Sequence, residues 1–108
     1  MMPTRENFER YKKLTEENTI TPHSRDELIQ ALSSYALGIL SAICGKSFLF
    51  FVDTGKGHRC TITEDSERED GREETFASVS KAVDSFFVDG KSLTERVGSF
   101  SVSPILLA

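Results

Sequence analysis

Several groups of residues in this chain have the atoms for chemistry. Asp53 stands in Phe50-Phe51-Val52-Asp53-Thr54-Gly55, a carboxylate at the end of an apolar run, where a general acid or base can be held. Cys44-Gly45-Lys46-Ser47 ends in the glycine, lysine and hydroxyl of a phosphate-cradling loop. His23, Cys44, His58 and Cys60 carry the donor atoms of a zinc site, or of a thiol–imidazole nucleophile. Glu64, Asp65, Glu67, Glu69, Asp70, Glu73 and Glu74 crowd carboxylates into one short stretch.

Each group must also meet a demand on spacing. A phosphate loop needs a further glycine five positions before Gly45, where Leu40 stands, and a strand before with a helix after. The order expected here is helix then strand, so no phosphate loop is expected. No His or Cys pair has finger-like spacing, and the ligands would have to converge from separate elements. No metal and no cofactor are therefore expected. Nothing near Cys44 or Cys60 lowers a thiol pKa, which leaves no evident nucleophile. Both cysteines read as reduced thiols, too few for a disulfide scaffold, although a single Cys44–Cys60 bridge stays open.

The run from Phe50 to Gly55 resembles the catalytic loop of retroviral-type aspartic proteases, small dimeric enzymes in which each chain gives one carboxylate to a shared-proton pair. The resemblance implies Asp53 as that carboxylate. It covers about six residues of the chain. Those proteases are nearly all β, whereas helical patterns fill roughly half of this sequence. Lys56 follows Gly55 where a small residue is usual. Asp-Thr-Gly is also what a hairpin turn asks for, and a turn is the expectation.

The acidic stretch is the most informative feature. From Glu64 to Glu74, seven acids oppose Arg68 and Arg72, a local charge of −5 within a chain whose net charge is −4. The remainder sums to +1. Such a segment is either a solvated connection or a recognition surface for a basic partner, and its carboxylates could occupy a groove that normally holds a nucleic-acid backbone. A weak divalent-cation site is a third use, though no EF-hand pattern is present.

The elements that must position these residues follow from periodicity. Residues 5–18 predict a polar first helix with a thin apolar line of Phe8, Tyr11 and Leu14. Residues 1–20 read as a helical arm that could detach. Ser24-Arg25-Asp26-Glu27 is a capping box opening a second helix, whose apolar stripe runs from Leu28 through Leu32 and Ile39 to Ile43. Ser34, Gly38 and Ala42, each four apart, would form a small-residue face on that helix, suited to intrachain packing or to a homodimer seam. A hairpin is expected over about 47–63, a short strand over 72–76, a helix over about 78–88 and a last strand over about 98–103. Val79, Ala82, Val83, Phe86 and Phe87 make the inner side of that later helix, and Asp89-Gly90 ends it. Ser92-Leu93-Thr94-Glu95 is a second capping box. Pro104 should break the final ladder, leaving an apolar end, Ile105-Leu106-Leu107-Ala108, that packs or binds.

The fold class expected is α+β in one domain of 108 residues: two N-terminal helices, a small antiparallel sheet and a later helix packed on it. Acidic balance argues against broad nucleic-acid binding, which relies on basic surface. Leu28–Val52 holds a single formal charge, Lys46, but its patterned first part and the Gly45-Lys46 break argue against a membrane span. The N-terminus shows no signal-peptide core, and a cytoplasmic location is expected. The function expected is a non-enzymatic interaction or regulatory protein that binds another macromolecule, with a basic nucleic-acid-binding protein as one partner and a homodimer as one assembly.

Overall fold

The computed structural model describes residues 18–65 and 71–105. The architecture is α+β. The elements run α1 (Arg25–Ser34), β1 (Leu37–Ile43), β2 (Lys46–Asp53), β3 (Arg59–Glu64), β4 (Glu73–Phe76), α2 (Val79–Ser85), β5 (Phe87–Val88), β6 (Lys91–Ser92) and β7 (Ser101–Pro104). Five strands form one antiparallel sheet in the order β4-β3-β2-β1-β7, while β5 and β6 form a separate hairpin.

Among the described residues one helix, not two, precedes the sheet, and this corrects the expected architecture. Residues 5–17 of the first expected helix lie outside the described residues. The second starts where its capping box predicts: the Glu27 N–H donates to Ser24 Oγ at 3.2 Å, and the Glu27 carboxylate accepts from the His23 N–H at 2.7 Å. It stops at Ser34, far short of Ile43. Ser34 Oγ donates back to the Gln30 carbonyl at 2.7 Å, and Tyr35 turns extended. The Ala36 carbonyl then accepts from the Val52 N–H at 2.7 Å, so sheet pairing takes over from the helix.

The misleading periodicity in β1 has a physical cause. The register breaks between Leu40 and Ile43, where Ser41 and Ala42 together oppose Ser47. This bulge turns Leu40 and Ile43, three residues apart, into the same core, a spacing that imitates a helix. Leu37 and Ile39 are buried on the opposite face, so the strand shows no alternation at all.

The main core lies between α1, α2 and one sheet face. Leu28 and Leu32 from α1 and Ala82 and Val83 from α2 meet Leu40, Phe50, Ile62 and Val102 of the sheet, all fully buried. Each of these side chains larger than alanine contributes about 1.5–3 kcal/mol by leaving water. Phe86 closes one end. Its ring meets Phe48 edge-on at 5.2 Å and Phe76 at 6.3 Å.

The hairpin expected over 47–63 forms as β2 and β3, and the strand expected over 72–76 forms as β4. The later helix is shorter than 78–88. It ends at Ser85, and Phe86 caps it in an extended conformation. Phe87 leaves the helix for β5 and is 47% exposed, so it does not belong to the inner side. Asp89-Gly90 is the two-residue turn of the β5–β6 hairpin, with φ of 49° and 84°, rather than a helix stop. The second capping box holds as expected. The Ser92 N–H donates to Glu95 at 2.8 Å, the Glu95 N–H donates to Ser92 Oγ at 3.3 Å, and a 3-10 turn follows over Thr94–Arg96.

The last strand runs to Pro104, beyond the expected 103, and Pro104 does not break it. Val102 exchanges both backbone bonds with Ile20 on the outer edge, at 2.9 and 2.7 Å. Alternation therefore points the nitrogen of Pro104 outward as well, where no β1 carbonyl awaits a donor. Among the described residues no helix is long and apolar enough to cross a membrane.

Candidate functional site

The small-residue face does not exist as a helical seam. Ser34 lies in the last turn of α1, whereas Gly38 and Ala42 lie in β1. Gly38 is required inside the sheet. A Cβ there would lie 2.5 Å from two atoms of the Phe50 ring and 2.7 Å from the Ser103 carbonyl oxygen. Ala42 sits in the bulge with φ of 66°.

The chemistry-bearing motifs are turns. Asp53 ends β2, and its carboxylate accepts from the Gly55 N–H at 3.0 Å, capping a 3-10 turn over Thr54–Lys56. Cys44 and Gly45, with φ of 52° and 74°, form the two-residue connection between β1 and β2, closed by the Ile43–Lys46 pair. The motif order is thus strand, turn, strand, not the expected helix then strand. His58 is exposed in the turn before β3.

Cys44 and Cys60 are both free, Cys44 exposed and Cys60 buried. Burial pushes the Cys60 thiol up to about 12, because the apolar interior disfavours the thiolate. Among the described residues no group of three or more His, Cys, Asp or Glu side chains could hold a metal ion.

The acidic residues sit where β3 passes to β4. Glu67, Glu69 and Asp70 lie outside the described residues. Glu64 ends β3. Its N–H donates to the Arg72 carbonyl at 2.8 Å, and its carboxylate lies 3.8 Å from Lys46 Nζ. The Asp65 N–H donates to the Ser47 carbonyl at 2.9 Å. Glu73 accepts from Thr63 Oγ1 at 3.2 Å. Glu74 accepts from Arg72 Nε at 2.6 Å and lies 2.5 Å from its Nη2, while the Arg72 guanidinium rests 4.1 Å above the Phe86 ring centroid. Pairing fixes the faces. Ile62 opposes Glu74 and Thr63 opposes Glu73, so Glu74 lies on the helix side of the sheet and Glu73 on the other. The carboxylates therefore flank β4 on both faces rather than forming one flat patch.

β4 is an edge strand: among the described residues nothing pairs with its outer side. The Glu64–Arg72 backbone bond sets the alternation, which turns the N–H and C=O groups of Glu73 and Thr75 outward. Sequence reading found the acids but not this edge, because only the sheet order reveals it.

Two further features were not anticipated. A groove of about 470 Å³ runs between α1 and the incoming chain, with Ile20, His23, Glu27 and Tyr35 on its walls. The Arg25 guanidinium grips Asp84 with a fork, Nε to Oδ1 at 3.0 Å and Nη2 to Oδ2 at 2.8 Å, and Thr94 Oγ1 donates to Asp84 at 2.7 Å. The fork joins α1 to α2, and the Arg25 and Thr94 bonds hold the Asp84 carboxyl below the usual range. The chain matches no protein-family model, no curated protein and no solved structure.

Proposed function

We propose that the chain is a non-enzymatic binding protein whose partner is a basic protein, docked along the outer edge of β4. The observation that carries this is the coincidence of an open strand edge with carboxylates on both of its sides, Glu74 on one face and Glu73 on the other. Glu64, Asp65, Glu67, Glu69 and Asp70 add negative charge in the same stretch of chain. An added strand would take its affinity from backbone bonds to Glu73 and Thr75. Lysines or arginines alternating along it would meet carboxylates on each face. The acidic balance disfavours nucleic acid as a direct partner. A basic protein that itself binds nucleic acid carries the matching charge.

The test is a pull-down from lysate with partners identified by mass spectrometry, run at several salt concentrations. Wild type stands beside a variant with Asp65, Glu67, Glu69 and Asp70 changed to amides, and beside Thr75→Pro. Because the Thr75 N–H faces outward, proline blocks strand addition while sparing the β3 ladder. The expected result is one basic partner retained by wild type, weakened by salt and lost in both variants. Equal retention by all three proteins at every salt concentration would sink the proposal.

A further inference from the structure

The groove beside α1 includes Ile20, which is bridged to Val102 of β7, whereas β4 is the strand at the other end of the sheet. What the groove can bind is therefore independent of the partner proposed above. Two anchored pieces of chain form it. α1 supplies Glu27, Ala31 and Ser34, spaced four and three apart and so on one helix face, and Tyr35 follows where the chain turns extended. The other wall is Ile20, held to Val102 by two backbone bonds, and the chain after it is tied by the Gly98 N–H donating to the Pro22 carbonyl at 2.6 Å. Ala31 adds only a methyl group to the lining, which helps keep about 470 Å³ open. Three kinds of binding capacity are left unused there. Ile20 is 42% exposed although its backbone is fixed in a pair, and Tyr35 is half-buried against the main core. Glu27 is the one formal charge on the walls. Its carboxylate is steadied by the His23 N–H, and among the described residues no lysine or arginine pairs with it. Among the described residues the Gln30 amide and the Tyr35 hydroxyl have no hydrogen-bond partner either.

We propose that this groove binds a small organic cation: a primary ammonium group on an aromatic or aliphatic stem, with the ammonium against Glu27 and the stem against Ile20 and Tyr35. The unpaired carboxylate selects the sign. An ammonium supplies the cation that Glu27 lacks, whereas a carboxylate or phosphate in its place would be repelled. The apolar wall selects the stem. Covering Ile20 removes aliphatic surface from water, and the Tyr35 ring can receive either an aromatic stem or the cation itself. The Gln30 amide and the Tyr35 hydroxyl are then free to orient a polar substituent. Size selects the class of ligand: about 470 Å³ is the scale of a small-molecule site rather than of a protein interface. Backbone bonds already hold the Ile20 wall, and the capping box holds the start of α1, so little of the site must be ordered on binding.

The test titrates the isotope-labelled full chain with 2-phenylethylammonium and, separately, with 3-phenylpropionate, an anion of similar size, and follows the backbone amide resonances at neutral pH. The expected result is a set of saturable shifts at millimolar ligand, centred on Ile20, Ala31 and Tyr35. One exposed ion pair is modest, but exchanging attraction for repulsion doubles its effect, so the cation should bind about tenfold more tightly than the anion. Glu27→Gln keeps the capping box, which accepts glutamine at that position, and should bring the two affinities together. Ile20→Ser changes an exposed side chain and should weaken both ligands alike while keeping their ratio. This second variant decides the matter if the first disturbs α1. Shifts centred on Glu73 and Glu74 would show an amine drawn to the acidic strand and would overturn the proposal. The absence of saturable shifts at the groove, or an anion that binds as well as the cation, would overturn it too. So would a tenfold preference that survives Glu27→Gln, or binding that Ile20→Ser leaves unchanged.

Discussion

Gly38→Ala should destabilise the protein, and by an amount that follows from three distances. The added methyl would meet the Phe50 ring at 2.5 Å twice and the Ser103 carbonyl oxygen at 2.7 Å. A ring can tilt, but the carbonyl belongs to β7, which is held in register to β1 on one side and to Ile20 on the other. Overpacking of this kind costs about 1–3 kcal/mol, and a backbone partner puts it in the upper part of that range. Alanine returns about 0.5–1 kcal/mol by narrowing the unfolded ensemble. The net loss is about 2 kcal/mol, which lowers Tm by roughly 10 °C for a domain of this size. Urea denaturation followed by circular dichroism reads the same quantity as a drop in midpoint at constant slope. Phe50→Leu in the Gly38→Ala background removes the ring half of the clash, so the two costs should add to less than their sum. The opposite sign is the decisive refutation. A glycine in a helix is replaced by alanine with a gain of up to about 1 kcal/mol, so a stabilised Gly38→Ala would mean that residues 37–43 are helical after all.

Ala42→Gly should raise Tm by a few degrees, because the φ of 66° costs alanine about 1–2 kcal/mol and glycine's extra unfolded-state freedom offsets only part of the relief. A thiol reagent should label one cysteine of the native protein, with Cys44→Ser abolishing it. Cys60, buried and held at about 12, should react only as the protein unfolds. The Asp84 carboxyl is held low by Arg25 and Thr94, so its contribution to stability is present above the ordinary carboxylate range and disappears as pH falls through its lowered value. Asp84→Asn should therefore melt below wild type at neutral pH, and the gap should close in acid. A gap that widens in acid would contradict the assignment.

What could be read from residues alone was local chemistry. Both capping boxes, Ser24 to Glu27 and Ser92 to Glu95, form the bonds their spacing implies, because such bonds depend on four neighbouring residues and nothing else. The β2–β3 hairpin was legible for the same reason: a turn-rich stretch joins an apolar run to an alternating one. β1 was not. Its two buried faces erase the period of two, and its bulge supplies a false period of three. Tyr35, Ala36 and Leu37 follow Ser34 with no glycine or proline among them to mark the helix end, which is set by Val52 reaching the Ala36 carbonyl from across the sheet. Asp89-Gly90 is punctuation whose sense the sequence leaves open, since one dipeptide serves both a helix stop and the hairpin it forms here. At the acidic site the carboxylates were visible in the sequence, whereas the strand edge between them depends on which strand ends up outermost.

The double burial of β1 also bears on how the sheet finds its alignment. In a half-buried strand, sliding by one residue throws every apolar side chain into water, and that penalty selects the alignment. In β1 the same slide would merely exchange one set of aliphatic residues for another, so greasiness alone discriminates poorly between alignments. Steric fit must discriminate instead. Only one alignment slips the bare backbone of Gly38 beneath the Phe50 ring, and only one puts the Cys44-Gly45 corner where the hairpin reverses. Gly38 and the Ser41–Ala42 kink thus act as a key and its notch. A chain altered at both would be expected to populate shifted pairings, visible as doubled amide resonances for β1 and β2, and to refold more slowly as wrongly aligned hairpins come apart and try again.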